Sequence, residues 1–173
     1  MTTALKLQFT EAGLTKLLDA KSHGLRGEIT HIAFGENSYT PTKNQRFLGK
    51  EKERVEISDY QGDGQNLRMA AVFQGELEYA IREVGIFLAD GTLLGVYSEP
   101  GKTLGYRTPA VRIVQWFTLN ISALPTDSVT VSISNDSLNL IIDEELAKMA
   151  TAQISTMHRQ IRQEYRLLAL EQK

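Results

Sequence analysis

Apolar and polar residues alternate through much of the stretch from Glu28 to Ser134, as they do in strands that turn one face toward a core. The clearest runs are Leu67, Met69, Ala71 and Phe73; Val111, Ile113, Phe117, Leu119 and Ile121; and Val129, Val131 and Ile133. Shorter runs predict strands over residues 29–34, 55–60 and 77–81. Turn residues separate these runs at close intervals, so the pattern predicts an antiparallel sheet or sandwich.

The strongest local signal is a hairpin from Ile81 to Tyr97, with Asp90 and Gly91 at its turn. Arg82 and Glu83 stand side by side at its start, and neighbouring strand residues point to opposite faces of a sheet. Because an unpaired buried charge is costly, each of them needs its own partner if the strand is central. The pattern therefore indicates an organising polar site rather than a run of solvated charges.

Residues 10–23 predict a short helix ahead of the strands. Thr10 suits the N-cap position, where its hydroxyl can accept a hydrogen bond from a free backbone amide. Leu14, Leu17 and Leu18 then form one apolar stripe, and Gly24 is a plausible stop.

The apolar spacing becomes helical from about Asp143 to Leu170. A helix of this length would extend roughly 40 Å, with an apolar seam at Ile154, Met157, Ile161 and Leu168. We expect a short coiled coil that packs on copies of itself, and packing on its own domain is the alternative. The predicted architecture is α+β, with a mainly antiparallel β domain over residues 1–136 and a C-terminal helix within residues 137–173.

Composition excludes several classes of protein and site. A chain of 173 residues with 42% hydrophobic content can bury a core, and its net charge of −2 gives no electrostatic reason to expect nucleic acid as a partner. The absence of cysteine excludes disulfides and thiolate metal sites. No apolar run approaches the roughly 20 residues of a membrane span, so we expect no membrane insertion.

Residues that could carry chemistry are scattered. The three histidines, His23, His31 and His158, have no partner at metal-ligand spacing, and no serine stands in a nucleophile-elbow context. The sequence therefore predicts no catalytic residue, no metal and no cofactor. Residues 99–109 predict an exposed, ordered loop, and Trp116 is read as a core or interface residue, with a sugar-binding face as the alternative.

Three segments together resemble the N-terminal domain of phage tail-fibre proteins, which fastens fibres to the baseplates of contractile tails and of related tail-like bacteriocins. The most specific is Ile81-Arg82-Glu83-Val84-Gly85-Ile86-Phe87 with its Asp90-Gly91 turn. The other two run from Thr10 through Ala20 to Ile29-Thr30-His31-Ile32-Ala33-Phe34-Gly35-Glu36, and from Gly105-Tyr106-Arg107 into the strand at residues 111–121. The resemblance spans roughly residues 5–134.

The resemblance implies a structural protein of the virion that is made in the bacterial host's cytoplasm and works by binding, not catalysis. Fibres of this family are trimers, so it implies a homotrimer that binds a baseplate protein, with a separate tail-fibre protein as a further candidate partner. If Lys173 is the natural end, the chain is expected to be a baseplate-to-fibre adaptor.

Within such a protein, Arg82, Glu83 and Arg107 are expected to organise the fold, with Arg107 as the partner of Glu83. Contact with a baseplate partner is the alternative role of these charges. The alternative function is a carbohydrate-binding module for host-surface glycans that uses residues 99–109 and Trp116.

Overall fold

A computed structural model of the chain describes residues 7–62, 66–109, 111–122, 124, 127–134 and 148–163. The chain divides into two compact units, Met1–Asn135 and Asp136–Lys173. Among the described residues, the first unit contains the strands and one helix, and the second contains a helix over residues 148–163. The prediction of a longer helix, over residues 143–170, reaches beyond the described residues at both ends.

The described part of the first unit is built from one helix and ten strands. Helix α1 spans Glu11–Ser22. The strands are β1 (Gln8–Phe9), β2 (Gly27–Gly35), β3 (Glu51–Gly62), β4 (Asn66–Phe73), β5 (Tyr79–Ile81), β6 (Glu83–Leu88), β7 (Leu93–Ser98), β8 (Gly105–Arg107), β9 (Ile113–Asn120) and β10 (Val129–Val131).

Eight strands form one sheet in the order β1-β7-β6-β2-β3-β4-β9, with β10 paired to β2 beside this path. Strands β5 and β8 form a separate two-stranded sheet. All pairs along the main path are antiparallel, so the prediction of a mainly antiparallel sheet is confirmed. Strand β6 lies between β7 and β2, well inside the sheet.

Strand β10 corrects the prediction of antiparallel pairing for residues 129–133. It runs parallel to β2, with Val129 opposite Gly27 and Val131 opposite Ile29. Strand β3 pairs with β2 from His31 onward, so β10 occupies the part of β2 that β3 leaves free. Alternation along one strand indicates a buried face, but it carries no information about the direction of the neighbouring strand.

The main core lies on one face of the sheet. The alternating residues of β4 predicted to face inward are buried, as are Phe117 and Leu119 of β9. The Phe34 and Phe73 rings stack with centroids 3.7 Å apart, and Phe117 meets Phe34 edge-on at 6.0 Å. Strand β2 is not a neighbour of β4 or β9 in the sheet, and these aromatic side chains bring it into contact with both.

A second, smaller apolar cluster lies on the other face of the sheet. It consists of Ala33, Leu48, Phe87, Leu93 and Val96, with Tyr39 packed against it. Leu48 and Tyr39 belong to the connection between β2 and β3, which covers this face. All six residues of β6 are consequently buried, so this strand departs from the predicted pattern of a single core face.

The hairpin prediction is confirmed by the pairing of β6 with β7. Gly91 has a φ of 81° at the turn, whereas Asp90 is not among the residues with positive φ. Asp90 contributes through its side chain instead, because its carboxylate accepts a hydrogen bond from the Thr92 amide at 2.9 Å. The predicted turn residues are therefore correct, but only the glycine has the left-handed backbone conformation that the Asp-Gly signal anticipates.

The loop prediction for residues 99–109 is wrong in part. The segment contains strand β8, which pairs with β5 through Ala80 opposite Tyr106. Its last residue, Arg107, is fully buried. A strand of three residues is too short to show an alternation of apolar and polar residues. The glycines and prolines of this segment therefore predicted a loop over its whole length.

Helix α1 packs closely on β7 through a glycine. Thr10 is the N-cap, and its side chain accepts a hydrogen bond from the Gly13 amide at 3.0 Å. A Cβ atom added at Gly13 would lie 2.6 Å from Leu94 Cα and 2.9 Å from Leu93 O. Leu17 is fully buried, as the predicted apolar stripe requires. Leu18 belongs to the same predicted stripe, but it is exposed.

Replacement of Gly13 should therefore destabilise the fold even though alanine favours helices. We expect Gly13→Ala to lower the free energy of unfolding by about 2 kcal/mol, because the added methyl group meets backbone that cannot move aside. The exposed position nearby provides the control: Thr15→Ala should stay within about 0.5 kcal/mol of wild type. Urea denaturation followed by circular dichroism measures both. Equal stability of Gly13→Ala and Thr15→Ala would contradict this packing.

Candidate functional site

Glu83 is a fully buried carboxylate at the start of β6. It accepts hydrogen bonds from the amides of Gly49 and Lys50 at 2.7 Å each and from the Asn37 amide at 3.3 Å. A fourth donor is the Tyr39 hydroxyl at 2.7 Å. Backbone amides and a phenol, rather than a cationic side chain, thus provide the hydrogen bonds described for this charge.

The donors to Glu83 come from both ends of the connection between β2 and β3. Asn37 and Tyr39 follow β2 directly, while Gly49 and Lys50 precede β3. The carboxylate therefore ties the two ends of this connection to β6. Gly35 makes the approach possible, because a Cβ atom there would lie 2.6 Å from the Glu83 Cδ.

Tyr39 links the carboxylate to the second apolar cluster. Its ring packs against that cluster, its hydroxyl donates to Glu83, and the Gln45 side-chain amide donates to the same hydroxyl. Burial, and then the hydrogen bond to Glu83, raise the pKa of Tyr39 to about 12. The phenol consequently stays protonated and remains a donor to the carboxylate well above neutral pH.

Arg107 is fully buried at the end of β8. Its Nε donates to Glu53 at 3.3 Å, and Nη1 donates to the carbonyls of Thr108 and Val111 at 2.6 and 2.7 Å. Nη2 donates to the carbonyl of Gly75 at 3.1 Å. One guanidinium group therefore holds together β3, the segment before β5 and the connection from β8 to β9.

The prediction that Arg107 pairs with Glu83 is wrong. Arg107 forms its ion pair with Glu53, which also accepts a hydrogen bond from the Tyr79 hydroxyl at 3.1 Å. Burial, followed by the charge of Glu53, raises the pKa of Tyr79. Glu83 and Arg107 thus belong to two separate networks, each of which satisfies one buried charge.

Sequence reasoning missed Glu53 because it stands in the charged run Glu51-Lys52-Glu53-Arg54, which resembles a solvated surface. A usable signal was present, since Glu53 precedes Val55 and Ile57 by two and four residues. These three residues share one face of β3. Extending the strand back by two residues would have directed the carboxylate toward the core.

Arg82 takes no part in either buried network. It is exposed just before β6, where its Nε donates to the Thr103 hydroxyl at 3.3 Å. Its backbone amide donates to the carbonyl of Gly35 at 2.9 Å. The structure therefore separates the two adjacent charges, with Glu83 inside the fold and Arg82 on its surface.

The C-terminal helix has exposed apolar residues at the predicted seam. Ile154, Met157 and Ile161 are 55%, 58% and 47% exposed, and Met149 is similarly open. Leu168, the last predicted seam residue, lies outside the described residues. The described helix thus carries an exposed apolar stripe.

A cleft of about 490 Å³ lies beside β9. Its lining includes Leu104, Gly105 and Tyr106 from the segment around β8, and Gln115 and Trp116 from β9. The carbohydrate hypothesis combined residues 99–109 with Trp116, and of that range residues 102–106 line the same cleft as Trp116.

Trp116 is half-buried, and the Arg68 guanidinium lies 4.8 Å from the centre of its ring. The indole is opposite Ala70 in the pairing of β4 with β9. Part of the aromatic surface that a sugar would stack on is thus already in contact with the protein.

The described residues contain no group of three or more histidines, aspartates and glutamates arranged to hold a metal ion. In the same part of the chain, no helix combines the length and apolar character that crossing a membrane requires.

An exposed apolar stripe, such as the one on the described helix, is a feature of surfaces that bind other chains. The family model of the phage tail-collar fibre protein, N-terminal, matches residues 1–153. Because this match covers most of the chain, the chain belongs to that family. It is a structural protein of the phage tail and a component of the virion, which confirms the family resemblance seen in the sequence. A search of curated proteins gives no match.

Neutralising Glu83 should destabilise the β unit strongly. In Glu83→Gln the shape is kept, but an amide NH₂ group faces backbone donors and the charge-assisted hydrogen bonds are lost. We expect a loss of roughly 3 kcal/mol in the free energy of unfolding. Glu78→Gln, at an exposed glutamate nearby, is the matched control and should change it by less than about 0.5 kcal/mol. Chemical denaturation of both variants measures the difference, and an unperturbed Glu83→Gln would refute the role of this carboxylate.

The raised pKa of Tyr39 should appear as a loss of stability in alkali. An unfolded tyrosine loses its proton near pH 10, whereas the native phenol keeps it to about pH 12. The stabilisation linked to this proton is therefore complete below pH 10 and disappears as the pH rises from 10 to 12. Tyr39→Phe should be less stable at neutral pH, yet lose less stability over that alkaline range. Denaturation at fixed pH values tests this, and identical slopes for wild type and variant would contradict it.

Proposed function

We propose that this protein anchors a fibre to the baseplate of a contractile phage tail, as a fibre anchor or a baseplate-to-fibre adaptor. The observation that carries the proposal is the family match over residues 1–153, which includes the whole described β unit and the beginning of the described helix. In this proposal residues 1–136 attach to the baseplate, and the C-terminal helix within residues 137–173 joins copies of the chain or a separate fibre. Synthesis takes place in the cytoplasm of the bacterial host.

The two buried networks support a structural role for Glu83 and Arg107. Their charged groups are fully enclosed and hydrogen-bonded within the chain, so neither is accessible to a partner protein. Glu83 fixes the connection between β2 and β3, and Arg107 fixes the segment around β8. Arg82 differs from both, because its exposed side chain is able to contact a partner on the baseplate.

The apolar stripe of the C-terminal helix supports self-association. Ile154, Met157 and Ile161 follow three- and four-residue spacing, as in the seam of a coiled coil. Burying each of these side chains contributes about 1.5–3 kcal/mol. Three helices that share this seam, extended by Leu168, would form the short coiled coil of a homotrimer.

The carbohydrate-binding alternative has weaker support. The cleft does combine Trp116 with residues 102–106, but Arg68 already faces the indole ring. We therefore favour protein partners over host-surface glycans.

A charge in the helix seam should separate the copies without unfolding the β unit. Ile161→Asp places a carboxylate where apolar side chains meet, so we expect the trimer to dissociate to monomers. Gln163→Asp adds the same charge on the opposite side of the helix and should leave the trimer intact. Light scattering coupled to size-exclusion chromatography gives the mass of each variant, and circular dichroism checks the strands. A trimer that persists in Ile161→Asp would rule out this seam.

Attachment to the tail is tested with purified tail particles from a phage that lacks the gene for this protein. Added protein should bind to these particles, and electron microscopy should place its density at the baseplate. Binding to the host cell envelope, with none to the particles, would contradict the anchor function.

A further inference from the structure

Strand β9 forms an open edge of the main sheet. It pairs with β4 along its whole length, from Asn120 opposite Asn66 to Ile113 opposite Phe73. No strand within the described residues pairs with its other side. Eight residues of extended backbone therefore present alternate amide and carbonyl groups at this edge.

This edge lacks the devices that usually prevent strands from pairing with other chains. Proteins protect open edges with charged residues, prolines, bulges or very short strands. The sequence of β9, Ile-Val-Gln-Trp-Phe-Thr-Leu-Asn, has no charge and no proline, and its register with β4 is continuous. At the other end of the sheet, β1 is only two residues long and leads directly into Thr10, the N-cap of α1.

The cleft meets β9 at this same edge. Ile113, Gln115 and Phe117 point to one face of the strand and Trp116 points to the other, yet all four line the cleft. Residues from both faces of a strand can line one cleft where that cleft runs along the edge. The space of about 490 Å³ is therefore positioned to receive a chain that pairs with the β9 backbone.

The other cleft residues define the chemistry of that chain. Leu104 and Tyr97 contribute apolar surface, and Tyr106 is 70% exposed at the rim. Lys102 is the charged residue among the lining side chains, and its Nζ lies 2.7 Å from the Glu99 carboxylate. Its charge is thus already balanced, so the cleft favours an uncharged segment with apolar side chains at alternate positions.

One hydrogen bond indicates that the edge backbone is accessible. The exposed Gln115 side chain donates from Nε2 to the carbonyl of Trp116 at 3.1 Å. A backbone amide of an added strand can replace this donor.

We propose that the β9 edge and its cleft bind one extended segment of a neighbouring tail polypeptide, which adds to the sheet as a further strand. This inference rests on the proposed function, since it names the kind of contact through which the β unit attaches to the tail. The segment is uncharged, about eight residues long to match β9, and apolar at alternate residues. Backbone hydrogen bonds provide affinity, and the cleft selects the side chains.

The test uses the full-length protein and purified tail particles that lack it. Hydrogen–deuterium exchange compares the free and the particle-bound protein, and binding constants are measured for two variants. Val114→Lys places a charge on the edge strand, and Tyr106→Ser removes the exposed ring at the cleft rim. Leu25→Lys, an exposed apolar residue outside the cleft, is the matched control. Circular dichroism establishes that each variant keeps the wild-type strands.

We expect amides of residues 113–120 to exchange more slowly in the bound protein. Val114→Lys and Tyr106→Ser should each bind roughly tenfold more weakly, while Leu25→Lys should bind as wild type does. Wild-type binding without protection at residues 113–120, or with unchanged affinity in both Val114→Lys and Tyr106→Ser, would overturn the inference and leave the anchor function standing.

Two other outcomes are also decisive. If the wild-type protein fails to bind the particles at all, the anchor function fails and the inference fails with it. If host-surface polysaccharide protects residues 113–120 and the particles do not, the cleft is a glycan site and a peptide strand is excluded.

Discussion

The fold depends on the burial of one carboxylate. Glu83 stands at the start of a strand that is buried on both faces, so its charge requires donors from within the protein. Those donors are mostly backbone amides from the connection between β2 and β3, and they are correctly placed only when that connection closes over the sheet. The second apolar cluster then forms beneath it. The charge of Glu83 therefore links the conformation of the connection between β2 and β3 to the packing of the central strands.

The sequence predicted those parts of the fold that depend on local pattern. The alternation in β4 and β9, the hairpin at Gly91 and the N-cap at Thr10 each follow from neighbouring residues, and each is present in the structure. The partner of Arg107 depends instead on which strands approach each other after folding. Glu53 and Arg107 are far apart in sequence, and β8 is too short to show a period. Pairing of β10 with β2 was unpredictable for the same reason, because strand direction is set by the whole topology.

For the candidate site, the sequence indicated where a buried charge lies but not which groups surround it. Arg82 and Glu83 were predicted together as organisers of the fold, yet Arg82 lies on the surface and only Glu83 is enclosed, a difference that depends on which face the sheet covers. The two buried charges interact with their own chain and stabilise its loops. Two exposed surfaces of the described residues are instead uncharged: the apolar stripe of the helix and the edge of β9. Assembly through such surfaces relies on shape and desolvation, which sequence charge alone does not reveal.

The uncharged edge of β9 has a consequence for the protein before it reaches a virion. Two newly made copies can pair through this edge, as open and uncharged strands do, and such pairing leads toward aggregates rather than tails. We therefore expect this pairing to increase with the concentration of free copies. If a tail polypeptide covers this edge as proposed, making the two chains together would keep the pool of unassembled protein small.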